Sequence, residues 1–329
     1  RVKRTIPLPP QRAAAGAAPG PAPFRDMAWI PGGTFRMGSD RHYREEAPAR
    51  DATVAGFWMD RHPVTNAQFG RFVAATGYVT VAERALDPAE YPGALPDLLV
   101  PGSVVFTPPA GPVPLTTHFA WWAYVPGASW RHPAGPGSAA SGLSAHPVVH
   151  VAWEDVAAYA AWAGKTLPTE AEWERAARGG LEDREYAWGD ALSPGGRIMA
   201  NVWQGEFPRE NLLLDGWERT SPVGSFPPNG FGLYDMIGNV WEWTADWWRE
   251  GGAVAGACCA CREEEDGGRQ ASMDPAQPRV RIPRKVLKGG SYLCAPNYCV
   301  RYRPAARIPQ QVDTGTGHQG FRCIVRVPG

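Results

Sequence analysis

The sequence lacks any apolar run long enough to cross a membrane. Its 329 residues contain no stretch of about 18 consecutive apolar side chains. The first residues, RVKRTIPLPPQRAAAGAAPGPAP, also lack the continuous apolar core of a secretory signal peptide. We therefore expect a cytoplasmic location and no membrane partner.

The chain has no excess of either charge. Lysine plus arginine and aspartate plus glutamate number 33 each, so no overall field attracts nucleic acid or an anionic membrane. We expect no nucleic-acid binding, partners that are recognised locally, and a monomer.

Two kinds of scaffold are missing as well. Six cysteines in a chain of this length are too few for a disulfide-built scaffold. No repeat at a fixed period indicates a solenoid or a propeller, and no linker interrupts the middle of the chain. Residues 1–24, rich in Ala, Pro and Gly, predict a disordered tail, which leaves residues 25–329 as one predicted domain.

Aromatic side chains and chain breakers are abundant. The sequence contains 15 tryptophans, 38 glycines and 34 prolines. Glycine and proline at this frequency interrupt helices and strands, while 44% hydrophobic residues can fill a core. The composition predicts a mixed α/β (α+β) fold with little regular secondary structure.

Local patterns predict three helices. Thr65 can cap a helix whose apolar face carries Phe69, Phe72 and Val73. A second helix is predicted over residues 155–163. A third opens at Thr169 and Glu172, which have capping-box spacing.

Elsewhere the chain predicts turns and loops. MAWIPGGTFRMGS at 27–39 suggests a hairpin around its Pro-Gly-Gly turn. Residues 86–147 show neither the helical nor the strand period, so we expect a long loop packed by its own aromatic side chains. Residues 250–278 read as a polar, glycine-rich insertion that contains Cys258, Cys259 and Cys261. We assign that cysteine trio no catalytic part.

The segment KGGSYLCAPNYCVRYRPAAR at 288–307 is the most informative for chemistry. It places Cys294 and Cys299 five residues apart, with Pro296 between them to disfavour a helix. Two thiols that meet in a loop can form a disulfide, bridge a metal, or act as a nucleophile and its resolving partner. A metal held by two thiolates favours Cu(I), whereas zinc normally takes four ligands. Spacing alone leaves these outcomes open.

Several motifs resemble the formylglycine-generating enzyme family, the sulfatase-modifying factors. They are GNVWEWTADWW at 238–248, the segment at 288–307 and GFRC at 320–323. The likeness also covers WIPGGTFRMGS, HPVTNAQFGRFVAATGY, WRHPAGP, HPVVHVAWEDVAAYAAWAGKTLPTEAEWERAARGG and NVWQGEFP, and so most of residues 27–325. Locally the sequence is most similar to actinobacterial members. The resemblance implies the formylglycine-generating enzyme fold, which is related to C-type-lectin-like folds.

The resemblance also implies an activity. Members of the family are copper-dependent oxidases that convert the cysteine of a Cys-X-Pro-X-Arg motif in an unfolded sulfatase to formylglycine, with O2 and a thiol reductant. Matching positions imply that Cys294 and Cys299 hold Cu(I), and that Ser291 belongs to the catalytic site, the alternative being a turn serine after Gly290. Trp241 and Tyr298 either line the oxygen pocket of that site or fill the core.

Two calcium sites are carried over by the same resemblance. One set is Asn201, Val202, Asp215 and Trp217, and the other is Asp235, Gly238, Val240 and Glu242. Carboxylate, amide and backbone oxygens are the ligands that Ca2+ prefers. Ca2+ would have a structural role here, and the alternative for each carboxylate is a solvated surface residue.

The substrate groove is less defined. Trp130, Arg131 and His132 of the WRHP segment are expected to border it, or else to pack within the long loop. Glu83, Asp87 and Glu90 are candidates for the acidic partner of the substrate arginine.

The sequence departs from secreted family members at their extra disulfides. Ala160 stands opposite Cys323, and Ala177 stands opposite Pro304, which suits a reducing cytoplasm. The main alternative is a non-catalytic peptide-binding module of the same fold, with Cys294 and Cys299 as a disulfide. An iron-dependent sulfoxide synthase is disfavoured, because the N-terminal extension is short and contains no histidine.

Overall fold

Eleven strands and four helices make up the regular structure in the computed structural model, which describes residues 18–89, 91, 93–251 and 262–327. The strands are β1 (Met27–Ile30), β2 (Gly33–Met37), β3 (Arg50–Val54), β4 (Phe57–Asp60), β5 (Gly102–Phe106), β6 (Trp122–Pro126), β7 (Trp241–Trp247), β8 (Arg284–Lys288), β9 (Arg307–Gln311), β10 (Gln319–Gly320) and β11 (Ile324–Arg326). The helices are α1 (Asn66–Thr76), α2 (Trp153–Trp162), α3 (Glu170–Arg178) and α4 (Arg262–Ala271). Short elements joined by long irregular segments confirm the predicted mixed α/β class.

The strands form four small sheets within the described residues. A three-stranded sheet has the order β1-β4-β11, and a four-stranded sheet has the order β10-β7-β8-β9. The pairs β2-β3 and β5-β6 complete the set. All neighbours are antiparallel except β10 and β7, which run parallel.

The hairpin predicted around the first Pro-Gly-Gly is wrong. β1 pairs with β4 and β2 pairs with β3, so the chain kinks at this point and continues instead of reversing. A Cβ on Gly32 would lie 2.7 Å from the backbone nitrogen of Gly56, in the link between β3 and β4. The glycine serves a close backbone crossing here, a use that the sequence pattern does not distinguish from a turn.

The long loop predicted over residues 86–147 is only partly correct. It contains the antiparallel pair β5-β6, with Val104 opposite Tyr124. The β-branched run within GSVVF forms β5 in spite of the prolines and glycines on either side. The rest of the region is irregular, with short 3-10 turns at Pro96–Leu98 and His118–Ala120.

The three predicted helices are present. The Thr65 hydroxyl accepts the backbone N–H of Gln68 at the start of α1, and Phe69, Phe72 and Val73 are buried. α3 starts with the predicted capping box at Thr169. α2 begins two residues earlier than predicted, because the Asp155 carboxylate accepts the Ala152 N–H at 2.8 Å and so belongs to the first turn.

The core combines aromatic packing with buried ion pairs. Arg322 is fully buried and donates from Nη2 to Glu242 at 2.7 Å, while the Trp173 indole donates to the same carboxylate at 2.7 Å. Arg303 and Glu46 form a second fully buried pair, with Nη1 and Oε2 2.7 Å apart. Ionised side chains at this depth persist only when they are paired.

The predicted domain boundaries stay a prediction. β1 starts at Met27, but residues 1–17 of the predicted tail and the cysteine trio at 258–261 lie outside the described residues. Among the helices that the structure does describe, none has the length and apolar character needed to span a membrane.

Candidate active site

The segment with the two cysteines is a long turn between β8 and β9. Lys288 and Arg307 face each other at its base. The Lys288 ammonium donates to Glu174 at 2.9 Å, and Nε of Arg307 donates to Glu170 at 2.7 Å. The residues that flank 289–306 on both sides are therefore attached to α3. We call residues 289–306 the cysteine turn.

Within the cysteine turn the two thiols meet. The Sγ atoms of Cys294 and Cys299 are 3.3 Å apart, well beyond the roughly 2.05 Å of a disulfide, and both thiols are free. The carbonyl of Ala295 accepts the backbone N–H groups of Tyr298 and Cys299 at 3.1 and 2.9 Å, which folds Cys299 back over Cys294. Cys294 is 1% exposed, and Cys299 is partly exposed. One sulfur is thus inside the core and one is reachable from outside.

The two thiols differ in their pKa values. The hydrogen bond from the Cys294 thiol, aided by the nearby Arg301 guanidinium, lowers the pKa of Cys299 to about 7. Burial raises the pKa of Cys294 well above its usual value. As the pH rises above about 7, the pair therefore holds a thiolate at Cys299 while Cys294 keeps its proton.

Arg301 is a site residue that sequence reasoning missed. Its Nη1 lies 3.8 Å from the Cys299 sulfur, and its Nη2 donates to Glu45 at 2.5 Å. The guanidinium also lies 3.7 Å from the centre of the Tyr43 ring, and the Tyr43 hydroxyl accepts the Val300 N–H at 3.0 Å. The segment around Tyr43 thus positions a cation beside the exposed sulfur. The spacing of Arg301, two residues after Cys299, was the available signal.

Ser291 is buried within the cysteine turn. Its hydroxyl accepts the Leu293 N–H at 3.3 Å, and its backbone N–H points at the Cys294 sulfur at 3.5 Å. Its carbonyl accepts the Cys294 N–H at 3.0 Å. The observed contacts of Ser291 therefore shape the backbone around Cys294, and its predicted catalytic role stays a prediction.

Tyr298 joins the cysteines to an aromatic cluster. Its ring stacks on Phe207, with centroids 4.5 Å apart and planes 7° apart, and packs edge-on to Trp121 at 5.6 Å. Burial, reinforced by the negative charge of the nearby Cys299 thiolate, raises the pKa of Tyr298 to about 12, so the phenol keeps its proton. Trp241 is buried in the same core cluster as Cys294.

Asn297 fastens this cluster to the cysteine turn. Its side-chain amide donates to the Phe207 carbonyl at 3.1 Å and accepts the Phe207 N–H at 3.3 Å. The backbone N–H of Trp203 donates to the Cys294 carbonyl at 3.0 Å. Residues 203–207 and the cysteine turn are thus one hydrogen-bonded unit.

The predicted groove residues lie around a separate cavity of about 390 Å³. Trp130, Arg131 and His132 line it, and Trp130 packs edge-on against Phe69. Nε of Arg131 donates to Glu83 at 2.9 Å, so that carboxylate already has a cationic partner. Asp87 is exposed, and Glu90 lies outside the described residues. The substrate assignments in this region stay predictions.

In the first predicted calcium set, a hydrogen-bond donor lies between two of the predicted oxygen ligands. The Gln204 side-chain nitrogen contacts the carbonyl of Val202 and also donates to Asp215 at 2.8 Å. Asn201 is buried nearby, and Trp217 donates its backbone N–H to Asp215 at 2.9 Å. Burial raises the pKa of Asp215, which a cation between these oxygens would reverse. An amide nitrogen between a carbonyl and a carboxylate marks a position that suits Ca2+.

The two carboxylates of the second predicted calcium set differ in their hydrogen-bond partners. Burial raises the pKa of Asp235 to about 6, although the carboxylate accepts the Gly224 N–H at 2.8 Å, so a cation would relieve this desolvation. Glu242 already accepts from Arg322 and from the Trp173 indole. Gly238 and Val240 lie on the same stretch of chain. On this geometry Asp235 fits a calcium ligand, and the Glu242 carboxylate is committed to Arg322.

Comparison with known proteins decides the family. The model of the sulfatase-modifying factor enzyme 1-like domain matches residues 13–327. This chain belongs to the sulfatase-modifying factor family. A formylglycine-generating enzyme from Mycobacterium tuberculosis is 56% identical over 302 residues, which cover 91% of this chain and 97% of that protein. The resemblance stated from the motifs is confirmed.

Other relatives show how widely this family's fold is shared. The protein named inactive C-alpha-formylglycine-generating enzyme 2 of Mus musculus is 38% identical, with 90% of this chain and 84% of that protein covered. The solved structure of PvdO from Pseudomonas aeruginosa superposes with a TM-score of 0.56 at 25% identity, covering 91% of this chain and 93% of that one. The predicted fold is confirmed at this level.

The donor set of this family member limits which metals it suits. Within the part of the chain that the structure describes, no group of three or more His, Cys, Asp or Glu side chains is arranged to hold a metal ion. A zinc site of four side-chain ligands is therefore not built here. Two converging sulfurs, with no third side-chain ligand of these types, fit a soft ion of low coordination such as Cu(I).

Proposed function

We propose that this chain oxidises the cysteine of a Cys-X-Pro-X-Arg motif in unfolded sulfatase polypeptides to formylglycine, with Cu(I) as its cofactor. The observation that carries the proposal is the contact of Cys294 and Cys299, 3.3 Å apart with one sulfur buried and one accessible. Membership of the sulfatase-modifying factor family supports the same activity.

The net reaction balances with O2 and two external thiols. The substrate R–CH2–SH loses sulfide and becomes R–CHO. O2 is reduced to two molecules of water, and one molecule of water is consumed when hydrolysis forms the aldehyde and releases sulfide, while two thiols become a disulfide. The external thiols supply the two electrons and two protons that O2 reduction still requires.

Cys294 and Cys299 would hold the Cu(I) ion, which supplies one-electron redox chemistry toward oxygen when bound. Cys299 is the sulfur that an incoming substrate thiol approaches, because Cys294 is 1% exposed. Arg301 lies 3.8 Å from Cys299 and offsets negative charge on the sulfurs. Its bond to Glu45 holds the guanidinium in that position.

The surrounding side chains control protons and water. The Tyr298 phenol, with its pKa raised to about 12, stays protonated and can hold or donate a proton beside the thiolates. Trp241 and the aromatic cluster exclude water on the core side. Ser291 keeps the backbone of the turn in place around Cys294.

We further propose that Ca2+ has a structural role at the first predicted set. Asp215 closes residues 204–215 onto Gln204, and these residues hold Phe207 against the cysteine turn. A cation at Asp215 would therefore tie the loop that supports Tyr298. We also propose a monomer in a reducing compartment. The reducing compartment is supported by Cys323, which is buried as a free thiol in the core cluster that contains Ala160.

The test is mass spectrometry of a peptide containing Leu-Cys-Thr-Pro-Ser-Arg, incubated aerobically with the protein, Cu(I) and a thiol. We expect conversion of the thiol to an aldehyde, dependent on copper and absent in Cys294→Ala and Cys299→Ala. An unchanged peptide together with no copper binding would replace this proposal with the peptide-binding module. In that case the two cysteines would be expected as a disulfide.

A further inference from the structure

Three consecutive leucines lie exposed beside the candidate active site. Leu212, Leu213 and Leu214 are 54, 42 and 66% exposed. Phe119 is 91% exposed, the most of any large apolar side chain in the described residues. Single exposed apolar residues are common, but a run of three on one loop indicates a contact surface. We call Phe119 and Leu212–Leu214 the apolar rim.

Leu213 occupies a backbone conformation that leucine disfavours. Its φ is +50°, in the left-handed region where glycine and asparagine are favoured. The conformation costs leucine about 1 kcal/mol or more. Neighbouring Asn211 would suit such a position better, so a leucine held there at a conformational cost points to a use for its side chain.

The leucines are continuous with the active-site cluster. Leu213 lines a cavity of about 210 Å³ with Phe106, Pro108 and Trp203 on its apolar side, and the rest of the lining is polar: Arg209, Asn211, Glu218 and Arg219. Phe106 stacks on Phe207 at 5.7 Å, and Phe207 stacks on Tyr298. Buried ring contacts therefore connect the wall of this cavity to the cysteine turn.

Phe119 approaches the same cluster from a different segment. It lies in the 3-10 turn His118–Ala120, where the neighbouring His118 ring is 6.3 Å from Tyr298 and 5.7 Å from Trp121. The exposed phenyl group and the leucines thus belong to two segments that both contact the aromatic cluster around Tyr298.

We propose that the apolar rim binds apolar side chains of the unfolded substrate that flank the Cys-X-Pro-X-Arg motif; this inference rests on the proposed function. A cavity of about 210 Å³ accepts one side chain. A stable contact between two folded copies would bury on the order of 1,200–2,000 Å², far more than this loop offers. An unfolded chain exposes the apolar residues that a folded partner hides.

The distance between the cysteine turn and the leucines determines which substrate residues can contact the apolar rim. Centroid distances of 4.5 Å from Tyr298 to Phe207 and 5.3 Å from Phe207 to Trp203 separate the cysteine turn from the cavity. An extended chain advances about 3.3 Å per residue. These two steps correspond to about three residues, and the cavity itself adds to that span, so the test places side chains from about the fourth position onward.

The experiment compares one short and four long substrates. The short peptide is Leu-Cys-Thr-Pro-Ser-Arg, and each long one adds six residues at one end. Leucine or serine stands at the fourth to sixth positions before the cysteine, or at the fifth to seventh positions after it, beyond the motif arginine. We expect at least one leucine extension to raise kcat/KM about 5- to 10-fold over its serine counterpart, through a lower KM.

Leu213→Asn separates binding from folding. Asparagine tolerates the left-handed conformation, so this variant should melt at or above the wild-type temperature while losing the 5- to 10-fold preference. Activity on the short peptide should be unchanged. Val327→Ser, which alters an apolar side chain that is 38% exposed next to β11, is the matched control and should keep the preference.

Retention of the preference in Leu213→Asn, or its absence in the wild type, overturns the apolar rim. Fluorescence anisotropy with labelled long peptides, in which serine replaces the target cysteine, measures binding without turnover. If leucine-dependent binding is weakened by Leu213→Asn but no peptide is converted, the proposed function is wrong and the binding surface stands. If the short peptide is converted without leucine-dependent binding, the proposed function stands and the apolar rim is wrong.

Discussion

Buried polar groups have different partners in two regions of the molecule, the charged core beneath α3 and the pair of thiols in the cysteine turn. In the core, Glu242 meets Arg322 and the Trp173 indole, and Glu174 meets Lys288 at 2.9 Å. In the cysteine turn, the buried thiol of Cys294 contacts another sulfur and a backbone N–H at 3.5 Å. The core satisfies its buried polar groups with full charges, whereas the buried Cys294 thiol has only weak hydrogen bonds.

This difference separates stability from reactivity. Removing one member of a paired buried charge leaves the other uncompensated, so the core should be sensitive in folding. Thiols that lack strong partners are available for a metal or a substrate, so the turn should be sensitive in activity.

Cys299→Ala should abolish conversion of the short peptide, by at least about 10³-fold, while the protein stays folded. The side chain is partly exposed and small, so we expect its loss to cost about 1 kcal/mol or less in unfolding free energy. Peptide mass spectrometry and thermal melting check the two halves. A large drop in melting temperature would contradict the division.

Glu242→Gln should have its main effect on the stability of the fold. Replacing the carboxylate leaves the Arg322 charge buried and without a full counter-charge, which costs about 3–5 kcal/mol of stability. Urea unfolding measures this cost. Glu182→Gln is the matched control, because its ion pair with Arg175 is 3.6 Å long and the glutamate side chain is 58% exposed. That change should stay within about 0.5 kcal/mol.

Calcium removal should give an intermediate effect confined to the loop at Asp215. A ligand at 100 times its Kd stabilises the folded state by about 2.7 kcal/mol, so a chelator should lower the melting temperature by several degrees. Asp215→Asn should melt lower and lose the response to added Ca2+. Equal responses in wild type and variant would remove Asp215 from the proposed site.

The smallest effect concerns Arg301. In the metal-free protein the alkylation rate of Cys299 should rise as the pH passes about 7, because the thiolate forms as the proton leaves. Arg301→Met removes a cation that favours the thiolate, so the midpoint should move up by about one pH unit. Arg209→Met, an exposed arginine paired with Glu206, should leave it unchanged.

Local features of the sequence predicted local features of the structure. The caps at Thr65 and Thr169 each involve atoms three residues apart, so the pattern contains the whole interaction. The contact of Cys294 with Cys299 spans five residues and a single turn. Family resemblance added the expected roles of these residues, which geometry alone would have left open.

Long-range partners were beyond the sequence pattern. Glu45 and Arg301 are 256 positions apart, and nothing local distinguishes Glu45 from its neighbour Glu46, which instead pairs with Arg303. Glu242 and Asp235 belong to one predicted calcium set, yet of the two carboxylates only that of Glu242 accepts hydrogen bonds from Arg322, which is 80 positions beyond Glu242. Which carboxylate stays available for calcium depends on tertiary packing that a motif does not encode.

The base of the cysteine turn has a consequence for how this scaffold can change. Lys288 and Arg307 face each other across β8 and β9, and each is separately tied to a glutamate of α3. The entry and exit of the chain are therefore set before residue 289 and after residue 306. Residues 289–306 therefore form a natural cassette, in which the cysteines and their neighbours could be exchanged for a different chemistry as long as Arg303 remains to pair with the buried Glu46.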